Sequence, residues 1–453
     1  MTAAPSSASS PMTVGVIGTG HVGLITCLSL SSVGHRVIGH DHDGSKIETL
    51  RRGGMPFHEP GGSEILQTET ESGRLSFTDD IVGAVASADV VFITVGTPAR
   101  ASGEANLMAV EQAARDIARA AVGPLVVVEK STVPAGTAAQ LERTVARERP
   151  DLAGALDVAS NPEFLREGRA LHDALHPDRI LVGASTRRAF DVMRRLYQPF
   201  LDDGVQLIET DITSAELAKH ASNAFLALKI SYVNALARLC EVSGADIEAV
   251  ARVMGADPRI GPEFLGAGLG FGGYCFPKDL SAFERLSERL GYPFPMLAEV
   301  ARINDEAIQA AMSKIRDVVW NLEGKRVALL GLAFKPDTDD VRFSPALTLA
   351  RHLIAEGATV VGFDPVAGAA AQGDVPELEL AADPYEAAAD AHCVVVCTAW
   401  DELRKLDLDK LGKRMAAKNL VDGRNLLDGP AAAAAGFTYR AMGRPESPLG
   451  SAP

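Results

Sequence analysis

The stretch TVGVIGTGHVGLITCLSLSSVGHRVIGHD, Thr13–Asp41, decides how this chain is read. Thr13–Ile17 is a short apolar run of strand character. It passes into Gly18-Thr19-Gly20-His21-Val22-Gly23, then the apolar helical segment LITCLSLSSVG, then a second run, HRVIGHD, ending at Asp41. Strand, GxGxxG, helix, strand, acid is the opening of a dinucleotide-binding α/β unit. Gly18 permits the tight turn, Gly20 lets backbone approach a pyrophosphate, and Gly23 allows close helix–strand packing. Asp41 would accept hydrogen bonds from a ribose 2′-OH and repel a 2′-phosphate, so NAD is expected rather than NADP. His40 stands where an apolar strand residue is expected, and the sequence gives no reason for it.

Further strands follow in ADVVFITVGTP and PLVVVEKSTVPAG, ending in the polar loops Thr97-Pro98 and Ser131-Thr132-Val133-Pro134. Open α/β sheets bind ligands outside the carboxyl ends of their strands. Thr132 is therefore placed to reach a ligand, or equally to bond locally as a turn hydroxyl. VASNPEFLREG again reads as strand then loop and presents Glu163 and Glu167. Glutamates are ordinarily solvated surface, but these follow a strand and an Asn-Pro turn, which makes them functional candidates.

From Ser214 to Ser243 the pattern is helical, with Leu217, Ala221, Phe225, Leu228, Tyr232, Leu236 and Leu239 recurring every three or four residues. Such a helix spans about 45 Å, enough to join two domains or to core a dimer. Lys219 and Asn223, four apart, share one face and together can stabilise negative charge on an oxygen. After the helical segment DIEAVARVMG comes DPRIGPEFLGAGLGFGGYCFPKD, Asp257–Asp279, with five glycines between Gly261 and Gly272 and Gly273 directly after. Glycine at this density gives up backbone entropy and offers close approach of backbone N–H groups to an anionic ligand. Cys275 follows, near Lys278 and Asp279, and a neighbouring lysine favours the nucleophilic thiolate. Residues 278–321 read as further helix, broken at Tyr292–Pro295.

GKRVALLGLAFKPDTDDVRFSPALTLARHLIAEGATVVGFDP repeats strand, loop, helix, strand. Gly331 opens its loop, but GxGxxG is missing, and Lys335 and Arg342 stand there instead. Later strands are HCVVVCTAW and KNLVDGRN, the second followed by Arg424. Three basic residues at strand ends make a local anion site. The expected fold is therefore α/β, with two Rossmann-like doubly wound domains joined by a long central helix and a helical middle domain. The expected boundaries are a flexible tail at 1–11, an NAD-binding domain at 12–212, and a helical, dimerising domain with the cysteine loop at 213–322. A second α/β domain at 323–440, for a different phosphorylated ligand, and a second tail at 441–453 complete the chain.

With 453 residues, 47% of them hydrophobic, the chain can bury sizeable cores. Its net charge of −15 argues against nucleic-acid or membrane-surface binding, so an anionic ligand must meet a local basic cluster. Five scattered cysteines suggest reduced thiols in a cytoplasm. The spacing in Cys393-VVV-Cys397 fits neither zinc nor a redox pair and reads as strand packing; no metal site is expected. No targeting segment and no membrane span is expected.

The motifs GTGHVG, VGTP, KSTVPAGT, SNPEFLREG, ELAKHASNAF, GFGGYCFPKD, GLAFKPDTDDVR and DGRN, spread from Met12 to Gly436, resemble the UDP-glucose/GDP-mannose dehydrogenase family of nucleotide-sugar 6-dehydrogenases. The resemblance implies oxidation of a sugar C6 alcohol to the acid with two NAD, through a cysteine thiohemiacetal and thioester. It makes Cys275 the nucleophile and Lys219 and Asn223 the pair holding the substrate oxygen. Asp279 becomes the proton-handling acid, Thr132 the water-positioning hydroxyl, and Glu163 the base for thioester hydrolysis. It assigns the cofactor to Gly18, Gly20, His21, Val22, Gly23, Asp41, Lys46, Thr97, Thr132, Glu167, Lys278 and Arg342. The nucleotide sugar falls to Glu163, Phe164, Leu165, Glu167, Lys219, Asn223, Phe264, Leu265, Gly268, Phe271, Gly272, Cys275, Phe334, Lys335 and Arg424. Arg259 matches an arginine that reaches a neighbouring subunit's site, which implies a homodimer or larger homo-oligomer. HPDRILVG and IGPEFL lie closer to the branch acting on UDP-glucose. GDP-mannose, another nucleotide sugar, or a single-step hydroxyacid-type oxidation are the alternatives.

Overall fold

The computed structural model describes residues 10–445. The chain splits after Ser222 into two compact units. The first is built on a sheet of eight strands: β1 (Thr13–Ile17), β2 (Arg36–His40), β3 (Leu75–Thr78), β4 (Val90–Ile93), β5 (Leu125–Glu129), β6 (Leu156–Ser160), β7 (Arg179–Ala184) and β8 (Gln206–Thr210). Their order is β3-β2-β1-β4-β5-β6-β7-β8. The first six follow the doubly wound 3-2-1-4-5-6 order, whose direction of winding reverses between β1 and β4. All neighbours are parallel except β6 and β7, which run antiparallel with Ala159 opposite Ala184. The sequence reading missed β3, β7 and β8.

Both faces of this sheet are covered. Val90 and Phe92 enter one apolar cluster, Val91 and Ile93 the other, and all four are 0% exposed. A continuous apolar run is what a strand buried on both faces requires. The helix His21–Ser32 is apolar nearly all round, because it lies buried on β1 with Leu24, Ile25 and Leu28 at 0% exposure.

The second unit holds β9 (Arg326–Leu330), β10 (Thr359–Phe363), β11 (Glu379–Leu380), β12 (Cys393–Val396), β13 (Asn419–Asp422) and β14 (Thr438–Ala441). They form a parallel sheet in the order β11-β10-β9-β12-β13-β14, the same 3-2-1-4-5-6 winding. Cys393 and Cys397 are fully buried in and just after β12, as strand packing requires. Ala441 closes β14 and Met442 is buried, so these positions belong to the fold rather than to the expected tail. The parts of both expected tails at 1–9 and 446–453 lie outside the described residues.

The long helix runs Ile212–Ser243. Its apolar stripe is not a core face: Leu217 is 39% exposed, Phe225 62%, Tyr232 51% and Leu239 61%. Ala227, Ser231, Val233 and Ala237 pack inward instead. Helices Cys275–Arg289 and Pro295–Val318 follow, and the break between them falls where the proline pair predicts it.

The glycines of the first loop separate two kinds of constraint. A Cβ on Gly23 would stand 1.8 Å from the Gly18 carbonyl oxygen, whereas one on Gly20 would meet nothing within 4 Å. Gly23→Ala should therefore destabilise the first unit by about 1–3 kcal/mol, visible as a lower thermal midpoint. Gly20→Ala should leave that midpoint within a degree or two yet weaken NAD binding at least tenfold by titration, because its face is kept open for a ligand. An unchanged NAD affinity in Gly20→Ala would show that this loop is not the cofactor site.

Candidate active site

At the carboxyl ends of β1 and β2, the Gly18 amide donates to the His40 carbonyl at 2.7 Å, with Gly18 at φ +98°. Asp41 Oδ2 accepts from Thr19 N–H at 3.0 Å, the Thr19 hydroxyl at 3.1 Å and Lys46 Nζ at 2.7 Å. Its Oδ1 accepts from Asp43 N–H at 3.1 Å. Burial opposes the charge, yet Lys46 and these amides hold the Asp41 carboxyl below the usual carboxylate range. Oδ1, with the Asp43 amide and the exposed His42 imidazole at 3.4 Å, is the less loaded oxygen and the one that faces fewer donors. The open face of Gly20, the half-buried Val22 beside it and this acid fit a dinucleotide. His21 stacks on Phe57 with ring centroids 4.2 Å apart. Burial in β2 pulls the His40 imidazole below its ordinary value, so this strand histidine is carried neutral.

Two loops at the far carboxyl ends carry the next residues. Glu163 is buried; Oε1 pairs with Lys219 Nζ at 2.9 Å and Oε2 accepts from Leu165 N–H at 2.5 Å. Phe164 lies under two cations, Arg179 at 3.9 Å and Lys219 at 5.4 Å from the ring centroid. Glu167 is half-buried in the turn that follows. Behind Glu163 a cavity of about 90 Å³ is lined by Lys130, Asn161, Phe164 and Tyr197. Lys130 donates to Asn161 Oδ1 at 3.0 Å, and burial pulls its ammonium down to about 8. Thr132 is half-buried between buried Ser131 and Val133, and the Thr97 hydroxyl donates to the Thr132 carbonyl at 3.0 Å. Lys219, Glu163, Phe164 and Leu165 are thus brought together in the first unit. Lys130 carried no signal in the sequence, since nothing local distinguishes a strand-end lysine that turns inward.

In the second unit Cys275 is the first residue of the helix Cys275–Arg289, not the end of a loop. Its sulfur stands at the helix N-terminus, where the backbone dipole stabilises negative charge. Among the described residues it is the one cysteine that is not buried. Burial pushes the other thiols up, Cys397 to about 12, with Cys27, Cys240 and Cys393 also raised. Asp279, 1% exposed, accepts from Asn223 Nδ2 at 2.6 Å and Lys278 Nζ at 2.6 Å. Tyr274 lies beneath Arg342 at 4.4 Å and Lys278 at 5.6 Å.

Part of the glycine loop's backbone is tied into the fold. Gly268 N–H donates to Asn234 Oδ1 at 2.8 Å, Phe271 N–H to Asn304 Oδ1 at 2.7 Å, and Gly273 N–H to the Arg342 carbonyl at 3.0 Å. These amides are spent inside the fold, and the glycines serve close packing. A Cβ on Gly272 would stand 2.2 Å from the Phe343 carbonyl oxygen, and one on Gly273 2.7 Å from the Phe334 ring. Asn234 and Asn304, which pin the loop, went unnoticed because single asparagines on helices carry no spacing signal. Arg424 also faces inward, donating to the Cys397 carbonyl at 2.7 Å and the Gly270 carbonyl at 3.2 Å. Phe271 and Leu265 are buried, Phe271 edge-on to Phe276, which makes them loop anchors. Phe264 holds φ +63° beside Phe276, a strained backbone of the kind found at ligand sites. Lys335 lies over Phe334, Arg342 forks onto Asp340, and Arg259 forks onto Asp257 with 87% of its side chain exposed.

Comparison with known proteins agrees with this layout. Three profiles of the UDP-glucose/GDP-mannose dehydrogenase family match: its NAD binding domain at residues 12–201, its central domain at 213–306 and its UDP binding domain at 328–429. The chain is 43% identical to UDP-glucose 6-dehydrogenase of Rhizobium meliloti, over 96% of this chain and 100% of that one. It is 40% identical to UDP-glucose 6-dehydrogenase TuaD of Bacillus subtilis, over 95% and 93%. The solved UDP-glucose dehydrogenase of Pyrobaculum islandicum superposes with a TM-score of 0.86 at 40% identity, covering 94% of this chain and 96% of that one. With all three domain profiles matched in order and relatives at 40–43% identity over nearly its whole length, this chain belongs to the UDP-glucose/GDP-mannose dehydrogenase family.

Proposed function

We propose that the chain oxidises UDP-glucose at C6 to UDP-glucuronate, through a covalent intermediate on Cys275. The observation that carries this reading is the one unburied cysteine, set at a helix N-terminus four residues before a buried Asp279 that binds both Asn223 and Lys278. NAD, when bound, supplies the hydride acceptor for both oxidations, so two are reduced per sugar.

The side chains do the rest. Lys219 and Asn223 hold the C6 oxygen as its proton leaves through a water toward Asp279. The Cys275 thiolate adds to the C6 aldehyde, forming a C–S bond. Loss of a second hydride and of the hydroxyl proton leaves a thioester. Thr132 positions a water and Glu163 takes its proton; water attack breaks the C–S bond and returns the thiolate. Lys219 Nζ, 2.9 Å from Glu163 Oε1, holds that carboxylate in place. Lys335 and Arg342 supply positive charge for the diphosphate. Five cysteines without a disulfide and an NAD-linked reaction suit the cytoplasm.

The exposed Leu217, Phe225, Tyr232 and Leu239 form one long apolar stripe, and we assign it to a second copy of this chain. Arg259, 87% exposed in its side chain, would leave its ion pair with Asp257 to extend toward a neighbour's site.

Four-electron oxidation needs an aldehyde held until the second cofactor arrives, and a serine alkoxide is far scarcer than a thiolate. Cys275→Ser should bind both ligands and lose turnover at least a thousandfold, about 4 kcal/mol of barrier. The wild type should form two NADH per UDP-glucose and act poorly on GDP-mannose. One NADH per sugar, or a Cys275→Ser enzyme near the wild-type rate, would remove the covalent route.

NAD should be preferred over NADP at least a hundredfold in kcat/KM, and Asp41→Asn should shrink that ratio by about tenfold, or 1.4 kcal/mol. An unchanged ratio in the variant would mean that Asp41 does not face the ribose.

Phe225→Asp with Tyr232→Asp should turn a dimer into a monomer by light scattering without unfolding it. A dimer that survives this pair of charges must use another surface.

A further inference from the structure

The loop Ser131–Gly136 has no regular secondary structure, yet its backbone is held from both sides. The helix that follows, Thr137–Glu148, begins after Gly136, whose lack of a side chain leaves the first turn without a local cap. Glu216 supplies it from eighty residues away: Oε2 accepts from Gly136 N–H at 2.6 Å and Oε1 from Ala138 N–H at 2.7 Å. Four residues along the same helix, His220 meets the Val133 carbonyl at 3.0 Å. A carbonyl only accepts, so His220 carries its proton on Nε2. Glu216, Lys219 and His220 are 2%, 4% and 1% exposed and share one helix face by their spacing.

We propose that Glu216 and His220 are positioning residues for Thr132, fixing its loop in register with Lys219. One residue after Thr132 the backbone is tied to His220; four and six residues after it, to Glu216. Thr97 ties the Thr132 carbonyl itself, and the Thr137 hydroxyl donates to the Pro134 carbonyl at 2.6 Å, so the loop cannot shift as a body without breaking one of these bonds. A charged group buried to accept two amides is a costly cap, since its desolvation must be offset. A solvated cap would stabilise the helix but would leave the loop free of Lys219. Burial pushes the Glu216 carboxyl up to about 7 against the pull of those amides.

This rests on the reading of Thr132 as the hydroxyl that positions the hydrolytic water. The test uses the full-length enzyme with NAD and UDP-glucose in Glu216→Gln, Glu216→Ala, His220→Gln, His220→Ala and Thr132→Val. Hydrogen exchange over residues 131–141 should quicken at least tenfold in Glu216→Ala and less in Glu216→Gln, which keeps one acceptor. His220→Gln, which keeps a donor, should stay closer to wild type than His220→Ala. The alanine variants should lose kcat at least tenfold with KM for UDP-glucose within threefold, and a covalent sugar adduct on Cys275 should accumulate by intact mass. Wild-type exchange over 131–141 in both Glu216 variants overturns the clamp. So does quickened exchange with unchanged kcat, or a kcat loss with no adduct while Thr132→Val does accumulate it. If Thr132→Val accumulates no adduct, the reading of Thr132 fails instead, and the exchange data still decide whether the clamp exists.

Discussion

Loops at the carboxyl ends of parallel strands carry backbone amides that no ladder satisfies, and leaving them buried and unpaired costs about 1–3 kcal/mol each. This chain meets that constraint with buried carboxylates. Asp41 takes Thr19 and Asp43, Glu59 takes Gly168 and Leu171, and Glu163 takes Leu165. Glu216 takes Gly136 and Ala138; Asp422 takes Arg424 and Leu427. All five acids are under 9% exposed. An ionised acceptor makes stronger bonds than a carbonyl and can serve two amides at once. The net charge of −15 is therefore not only surface repulsion, because part of the acid content holds loops in place.

Much of the fold was legible because its signals are local. Strand, glycine loop, helix, strand and acid lie within Thr13–Asp41, and the closest approach in the loop, Gly23 against the Gly18 carbonyl, lies inside that same stretch. The second unit was legible as a repeat of the pattern without its GxGxxG. Some strands that went unread are short, like β11 with two residues, or solvent-facing, like β8, where Gln206 and Glu209 interrupt the apolar period; β7 is buried and six residues long, and was passed over all the same. A strand's partner, as in the antiparallel β6–β7 step, is set by tertiary packing and leaves no mark in its own residues.

The site was legible by chemistry but less so by geometry. Cys275, Lys219, Asn223 and Asp279 were found from residue type and spacing, and the structure gives Asn223 and Asp279 a direct bond. The same reasoning is blind to hydrogen-bond partners that lie far along the chain. Arg424 reads as a cation at a strand end, and two of its protein partners are the carbonyls of Cys397 and Gly270. The amides of Gly268 and Phe271 are tied to Asn234 and Asn304, which no local pattern announces. The helical stripe shows another limit. Periodicity shows that one face is apolar, but what covers that face is not encoded in its period.

The two doubly wound units share a winding order yet divide at one acid. Each has a carboxylate directly after its second strand, Asp41 after β2 and Asp364 after β10. Asp41 leaves Oδ1 with a single amide partner. Asp364 is saturated: Oδ2 accepts from Leu332 N–H, Ala333 N–H and Trp400 Nε1, and Oδ1 from Val366 N–H and Ala367 N–H. The turn before it has no counterpart of Gly20, because a Cβ on Gly331 would strike Thr398 at 2.4 Å and Leu332 and Ala333 fill the next positions. A ribose hydroxyl would find no acceptor there, and a pyrophosphate no open backbone. Those two features, rather than any difference of topology, separate the turn of the second unit from that of the first, and the basic Lys335 and Arg342 stand on the loop where the first unit has its glycines.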